Sequence, residues 1–533
     1  MELQYGNIKI HLSDNLSYKW TIGDSGCIRG YAYVGEEFLE GETLLRYLVS
    51  ASSQEDAIQK ICSLNGFYNL ILQMPFGVLA CVDQVRSMPL FYRGNKLFDT
   101  LDEKAVSNWA LDENALAVYR NCVFTPNSKT LFQETFQIQT GYYLLFDATG
   151  AHQYPHFKLE YTEKQITDID EAVRLLDENL LATARRTIEI LDGRTAVMPL
   201  SGGHDSRILA FYLKRLGLEN IIAYSFGQPG NKESVRSQKV AELLGIPWHF
   251  VNYDPEGMKD FYRTEFRRYA MMAGNGTSIP HIMDWYAVYR LKEEGILPEN
   301  CVFVPGYGGD FTAGEFIWRD AVQMDQIPVE VILQFILKYE FVPDYMLGRE
   351  KIRGEEDTVV IRSELQAEFQ DLRTPENSLS GKAANQVVEQ AILTGWYSKF
   401  IANAARVYDF YGYKWLMPFF ERSQFETWSR IDNSLRVVEA AYFELARRVY
   451  PDALNAVDFA LFENITTKLD QLLAGKPEDG HYALGYFDLG EEYYRQIREQ
   501  IMKGPNVYVQ EDYLEILRGI CRRATEPAPS GKQ

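Results

Sequence analysis

TAVMPLSGGHDSRILAFYLKRLG (195–217) is the stretch that decides the fold. Its first six residues form a short apolar run of the kind buried as a strand, and SRILAFYLKRLG reads as a helix stopped by Gly217. Between them Ser201-Gly202-Gly203-His204-Asp205-Ser206 turns the chain. Two glycines let backbone approach a polyphosphate, and the N-terminus of the helix offers unpaired N–H groups to the anion. Ser201 and Ser206 add hydroxyl donors. Asp205 would repel phosphate directly, so a carboxylate here fits a Mg²⁺ standing between the two. The plain structural alternative is a tight turn with Asp or Ser as helix cap.

Working outward, NIIAYSF (220–226) and PWHFVNY (247–253) read as strands flanking the amphipathic helix KESVRSQKVAELLG (232–245). CVFVPG (301–306) is a later strand that again runs into glycines. Strands alternating with helices predict a parallel sheet whose ligand sites lie at the strands' carboxyl ends. Upstream, IDEAVRLLDENLLATARRTIEIL (169–191) has apolar residues at helical spacing and no Gly or Pro. Before about residue 160 the chain reads mostly as short strands and turns: GFYNLILQMP (66–75), GVLACVD (77–83), MPLFYRGNKLF (88–98) and TGYYLLFDATGAHQYPHF (140–157). Beyond the alternating region the chain is helix-rich to about residue 523, and TEPAPSGKQ has the composition of a frayed tail.

Composition narrows the function. The 533 residues are 46% hydrophobic and carry 54 Lys plus Arg against 74 Asp plus Glu, a net charge of −20. Such an acidic chain is a poor general nucleic-acid binder, since phosphate contacts need a basic surface. It is equally unsuited to anionic membranes. No apolar run reaches the roughly 18 residues of a membrane span, and MELQYGNIKIHLSD lacks the regions of a signal peptide. The six cysteines, at 27, 62, 81, 122, 301 and 521, form no CxxC or Cys/His cluster. A reducing, cytoplasmic setting is the expectation.

The SGGHDS loop resembles the pyrophosphate-loop signature of enzymes that cleave ATP between its α and β phosphates. Within that group the chain is similar to the asparagine synthetase and β-lactam synthetase family over roughly 170–470. KESVRSQKVAELLGIPWHFV (232–251), PGYGGDFTAGE (305–315), and Arg406 through YGYKWLMPFFE (411–421) carry the likeness. The resemblance implies that Ser201, Gly202, Gly203, Asp205 and Ser206 bind ATP, that Leu200, Phe226 and Gly306 line the adenosine site, and that Asp205 and Asp310 are Mg²⁺ ligands. Asparagine synthetases have a glutamate where this chain has Tyr307, and an acid where it has Phe311. A tyrosine there is what β-lactam and carbapenam synthetases carry, paired with a glutamate that helps deprotonate an amine. Glu389, in AANQVVEQAILTGWYSKF (383–400), is the implied partner, because a phenol near pKa 10 needs an acidic neighbour to relay protons. The family's pyrophosphate-holding lysine is matched best by Lys468 in DFALFENITTKL, with Arg430 and Arg436 as substitutes.

SLNGFYNLILQ (63–73) and ACVDQVRSMPLFYRGNKLF (80–98) resemble the family's N-terminal nucleophile (Ntn) glutaminase domain, a layered αββα sandwich. Its nucleophile is a cysteine at the second position, and this chain has Glu2 there, so no glutaminase activity is expected. The fold class expected is therefore α/β plus α+β. Residues 1–165 form a degenerate glutaminase-like domain, 166–523 an ATP-dependent synthetase domain with a helical C-terminal part, and 524–533 a flexible tail. The function expected is an ATP- and Mg-dependent carbon–nitrogen ligase. It adenylates a small-molecule or peptide carboxylate and couples it to an amine of the same molecule or of a second one, with a homodimer compatible. A catalytically degenerate ATP-binding protein, or amidation by free ammonia, stay open as alternatives.

Overall fold

Along the strand Leu64–Met74 successive side chains point to opposite sides of one sheet, and each side meets a different core. Ile71 faces inward with Val82, Leu144, Ile10 and Leu97, while Leu70 and Leu72 face outward with Leu44, Leu48 and Ile61. The computed structural model describes residues 1–13, 16–122, 124–227, 229–340, 359–360, 363–364, 378–457 and 508–523. Its N-terminal part contains two sheets. One has the order Glu2–Tyr5, Ile8–His11, Lys96–Phe98, Phe91–Arg93, Phe136–Gln137. The other runs Gly150–Pro155, Tyr142–Asp147, Gly77–Val82, Leu64–Met74, Gly26–Val34, Thr21–Gly23, with Glu37–Glu40 on a side branch. The inner core lies between the two sheets, and helices Gly41–Val49 and Gln54–Cys62 cover the outer face of the second. Those helices, and Glu103–Val106 and Glu113–Cys122 further on, are what a reading as strands and turns leaves out.

The helix Ile169–Leu191 begins where its sequence pattern does, with Asp168 accepting the Glu171 N–H at 2.8 Å. It leads into a five-stranded sheet in which every pairing is parallel. The order is Trp248–Asn252, Ile221–Gly227, Ala196–Pro199, Val302–Phe303, Lys414–Trp415. The chain therefore winds to one side of Ala196–Pro199 and later returns to add strands on the other. A crevice opens where the winding reverses, at the carboxyl ends of Ala196–Pro199 and Val302–Phe303. Leu200–Gly203 and Val304–Gly308 leave the sheet side by side at that point. Mixed α/β architecture with a parallel sheet and substantial helix is thus as expected. The strand Lys414–Trp415 is an addition, hidden in a segment rich in aromatics.

The N-terminal part packs against this sheet through buried polar contacts. Tyr18 donates to the Trp415 carbonyl at 2.6 Å, Gln84 to the Phe420 carbonyl at 2.8 Å, and Arg406 to the Ser87 carbonyl at 2.8 Å. Among the described residues no helix is long and apolar enough to cross a membrane.

Candidate functional site

Pro199 ends its strand, Leu200 is buried beneath the turn, and the helix His204–Arg215 starts with Gly203 as its cap residue. Gly203 has no side chain to satisfy the first N–H groups of that helix, which leaves them available to an anion. The loop is held internally: Ser206 Oγ accepts the Ser201 N–H at 3.1 Å, and Ser201 Oγ accepts the Gly203 N–H at 3.2 Å. Arg207 lies buried under the loop and donates to the Gly202 carbonyl at 2.8 Å. The Gly202 N–H is taken at 2.7 Å by Glu233 Oε2, from the start of the helix Lys232–Leu244.

The second glycine-rich segment is pressed onto this loop. A Cβ on Gly306 would stand 2.5 Å from the Ser206 nitrogen, and one on Gly309 would stand 2.5 Å from Asp205 Cγ. Only glycine permits these approaches. They bring the two acids read from the sequence together: the Asp310 N–H bonds Asp205 Oδ2 at 3.2 Å. Tyr442 donates to Asp205 Oδ1 at 3.1 Å. Burial pushes the Asp205 carboxyl well up, reinforced by the negative charges of Asp310 and Glu439. Asp310 is also raised by burial, against bonds from the Phe311 N–H and from Tyr397 and Glu315.

Sequence reasoning missed two members of this acidic group. Glu315 is pushed up to about 8, first by burial and then by Asp310. Glu439 is pushed up to about 8 by burial and by Glu315 and Asp310. Glu315 stands within the glycine-rich string itself, five positions past Asp310, so a signal existed. Glu439 is brought in by Val438 and Glu439 both adopting left-handed backbone, which no sequence pattern marks. Tyr397, which bonds Asp310, lies in a nine-residue π-helical stretch, Leu393–Ile401.

Tyr307 follows Gly306 and is half-buried. Its hydroxyl lies 3.0 Å from that of Tyr408, which donates to Asp284 Oδ2 at 3.0 Å. Tyr408 has one proton and gives it to Asp284, so Tyr307 is the donor to Tyr408. Tyr224 donates to the same Asp284 oxygen at 2.7 Å. Burial raises the Asp284 carboxyl, and the two phenols hold it back. The line Tyr307–Tyr408–Asp284 therefore joins the mouth of the crevice to a fully buried carboxylate.

Glu389 takes a different place from the one expected of a partner for Tyr307. Arg436 donates to its two carboxylate oxygens at 2.5 and 3.0 Å, and the Tyr161 hydroxyl bonds it as well. Arg436 also donates to the Thr312 carbonyl at 3.1 Å, so the pair braces the glycine-rich segment from behind. That use of Arg436 also removes it as a substitute for the lysine. Lys468 lies outside the described residues. Phe226 is half-buried and stacks on Tyr253 with ring centroids 5.1 Å apart, at the end of the strand next to Leu200.

Among the described residues no three His, Cys, Asp or Glu side chains are arranged to hold a metal ion on their own. Yet Asp205 and Asp310 meet at the partly exposed junction of the two glycine-rich segments, a donor set suited to a cation that arrives with phosphate oxygens completing its shell.

Residues 190–449 match the family model of asparagine synthase. No curated protein is similar enough in sequence to register as a match. Among solved structures, an NH3-dependent NAD synthetase from Campylobacter jejuni subsp. jejuni aligns at 13% identity over 44% of this chain and 96% of its own, with a TM-score of 0.21. A U34-tRNA thiolase from Methanococcus maripaludis aligns at 18% identity over 44% of this chain and 78% of its own, with a TM-score of 0.18. A glutamine phosphoribosylpyrophosphate amidotransferase from B. subtilis aligns at 10% identity over 54% of this chain and 63% of its own, TM-score 0.16.

Proposed function

From a chain that belongs, through residues 190–449, to the asparagine synthase family, we infer an ATP-dependent ligase-type enzyme that forms an amide from a carboxylate and an amine. The observation that carries the reading is the meeting of Asp205 and Asp310 beside a glycine loop at the reversal point of a parallel sheet. In the proposed first step a substrate carboxylate oxygen attacks the α-phosphorus of ATP, the bond to the β-phosphate oxygen breaks, and pyrophosphate leaves. The loop N–H groups and Ser201 bind the phosphates, while Leu200, Phe226 and Gly306 border the adenosine. Mg²⁺ bound by Asp205 and Asp310 supplies the charge that such crowded anions require.

In the proposed second step the amine nitrogen bonds to the acyl carbon and AMP departs with the electrons of the broken C–O bond. The amine's proton passes to Tyr307 oxygen as Tyr307 gives its own to Tyr408 and Tyr408 gives its own to Asp284. A pre-aligned chain of this kind lets a phenol accept a proton without first becoming phenolate. Glu389 enters this scheme by holding Arg436 and the glycine-rich segment in place.

We propose further that the N-terminal part, residues 1–165, is an Ntn-type sandwich that no longer releases ammonia from glutamine. Cys27 supports this: its side chain is fully buried and burial pushes its thiol up to about 12, the opposite of what a nucleophile needs. The amine is then an organic amine of the same or another molecule.

The test is pyrophosphate and AMP formation from ATP and Mg²⁺ across carboxylates, amino acids and linear peptides. Carboxylate-dependent pyrophosphate, absent in Asp205→Ala and Asp310→Ala, is the expected result. Release of ADP and phosphate would overturn the α-phosphate mechanism.

A further inference from the structure

The contact between Glu233 and the Gly202 N–H puts a carboxylate where the nucleotide reading needs a phosphate. We propose that Glu233 is a resident anion which the polyphosphate displaces, and that Arg236, released by that displacement, becomes the loop's phosphate-binding cation. This rests on the reading of 201–206 as an ATP loop.

Three observations carry it. Glu233 Oε2 accepts the Gly202 N–H at 2.7 Å, a charge-assisted bond of the type phosphate oxygens make with such loops. The Arg236 side chain lies across the same glycine: a Cβ on Gly202 would stand 2.8 Å from Glu233 Oε2, 3.0 Å from Arg236 Cδ and 3.1 Å from Arg236 Cβ. The absence of a side chain at Gly202 is thus what lets this pair reach the loop. Lastly, Arg236 and Glu233 face each other one helical turn apart at 3.7 Å, longer than a direct hydrogen bond. Both are partly exposed, so they can rearrange without opening a core.

The electrostatics give the direction. A phosphate arriving at Gly202 cannot share one N–H with a carboxylate, and the two anions repel at that range. As Glu233 leaves, Arg236 loses its neighbouring anion and gains one carrying more charge. Arg207 cannot take this part, because it is buried and donates to the Gly202 carbonyl on the loop's inner side. The ligand class is a polyphosphate, either the β,γ end of ATP or free pyrophosphate.

Calorimetric titration of the full chain with ATP, inorganic pyrophosphate and AMP, each with Mg²⁺, tests this. Glu233→Gln keeps the shape and a hydrogen-bond acceptor but removes the charge, so pyrophosphate and ATP should bind about tenfold more tightly. Arg236→Gln should weaken both about tenfold, and Arg236→Lys should recover part of the loss. AMP, lacking the polyphosphate end, should respond little to any of the three. Weaker or unchanged pyrophosphate binding in Glu233→Gln would overturn the proposal, as would an Arg236→Gln variant that binds like the wild type. If wild-type protein binds neither ATP nor pyrophosphate, the nucleotide reading fails and takes this inference with it. Thermal melts of the variants separate binding changes from unfolding.

Discussion

A single added methyl group is the sharpest probe of the crevice. Gly306→Ala would set a carbon 2.5 Å from the Ser206 nitrogen, in backbone that cannot retreat without displacing the start of the helix His204–Arg215. The expected outcome is loss of ATP binding by at least about tenfold, read by titration calorimetry. Glu389 makes the contrasting case. Replacing it with Gln leaves the Arg436 guanidinium buried with no ionic partner, a change that costs roughly 3–5 kcal/mol. Denaturant unfolding should show that loss in full. The same two positions measure what was legible in the sequence. Gly306 and Asp310 were picked out through the likeness of PGYGGDFTAGE to a family motif, whose short string fixes a close approach at one position and an acid at the other. The partnership of Glu389 was not, because Tyr161 lies 228 positions away in the chain and Arg436 lies 47 away. No local pattern specifies such pairings.

Elements behave in the same graded way. The strands Ala196–Pro199 and Ile221–Gly227 were visible as apolar runs, because central parallel strands covered on both faces need continuous hydrophobicity. The edge strand Trp248–Asn252 was visible through its aromatic and β-branched residues. The two-residue strand Lys414–Trp415 and the π-helical Leu393–Ile401 were not, since tertiary packing defines them more than any periodicity. The turn Val437–Glu439 is the strongest example. Val438 has φ 50° and Glu439 φ 57°, and a β-branched residue in left-handed backbone is strained by about 1–2 kcal/mol. Val438 is more than half exposed, so its side chain repays little of that through packing. Val438→Asn, which tolerates the same backbone, should stabilise the protein by about 1 kcal/mol while leaving Glu439 where it is. A rise in melting temperature with unchanged ATP binding is the expected pair of results; a fall would mean that the valine side chain holds the turn.

Across the whole molecule, both halves carry a histidine that the fold keeps neutral. His156, in the N-terminal part, has Nε2 on the Val82 carbonyl at 2.8 Å, and burial is the main force that lowers it to about 4. His281, in the part built on the parallel sheet, packs against Phe400 and burial lowers it to about 3. In the unfolded chain each titrates near 6.5. Between that value and the folded one the unfolded state binds more protons, so stability rises with pH there and falls as pH drops. His156 gives up its contribution as pH falls from about 6.5 to about 4, and His281 continues the loss to about 3. Below that range neither adds further slope. The halves are also joined by buried bonds from Tyr18, Gln84 and Arg406, so acid weakening of one is transmitted to the other. The raised carboxyls of Glu315 and Glu439 act in the opposite sense over much of this range. The histidine slope is therefore the part of the pH dependence of the denaturant midpoint, followed at pH 7, 6, 5 and 4 in a single transition, that removing the imidazoles abolishes. His156→Gln, which cannot take up a proton, should flatten part of that slope. Two separated transitions, only one of them moving with pH, would show that the interface does not couple the halves.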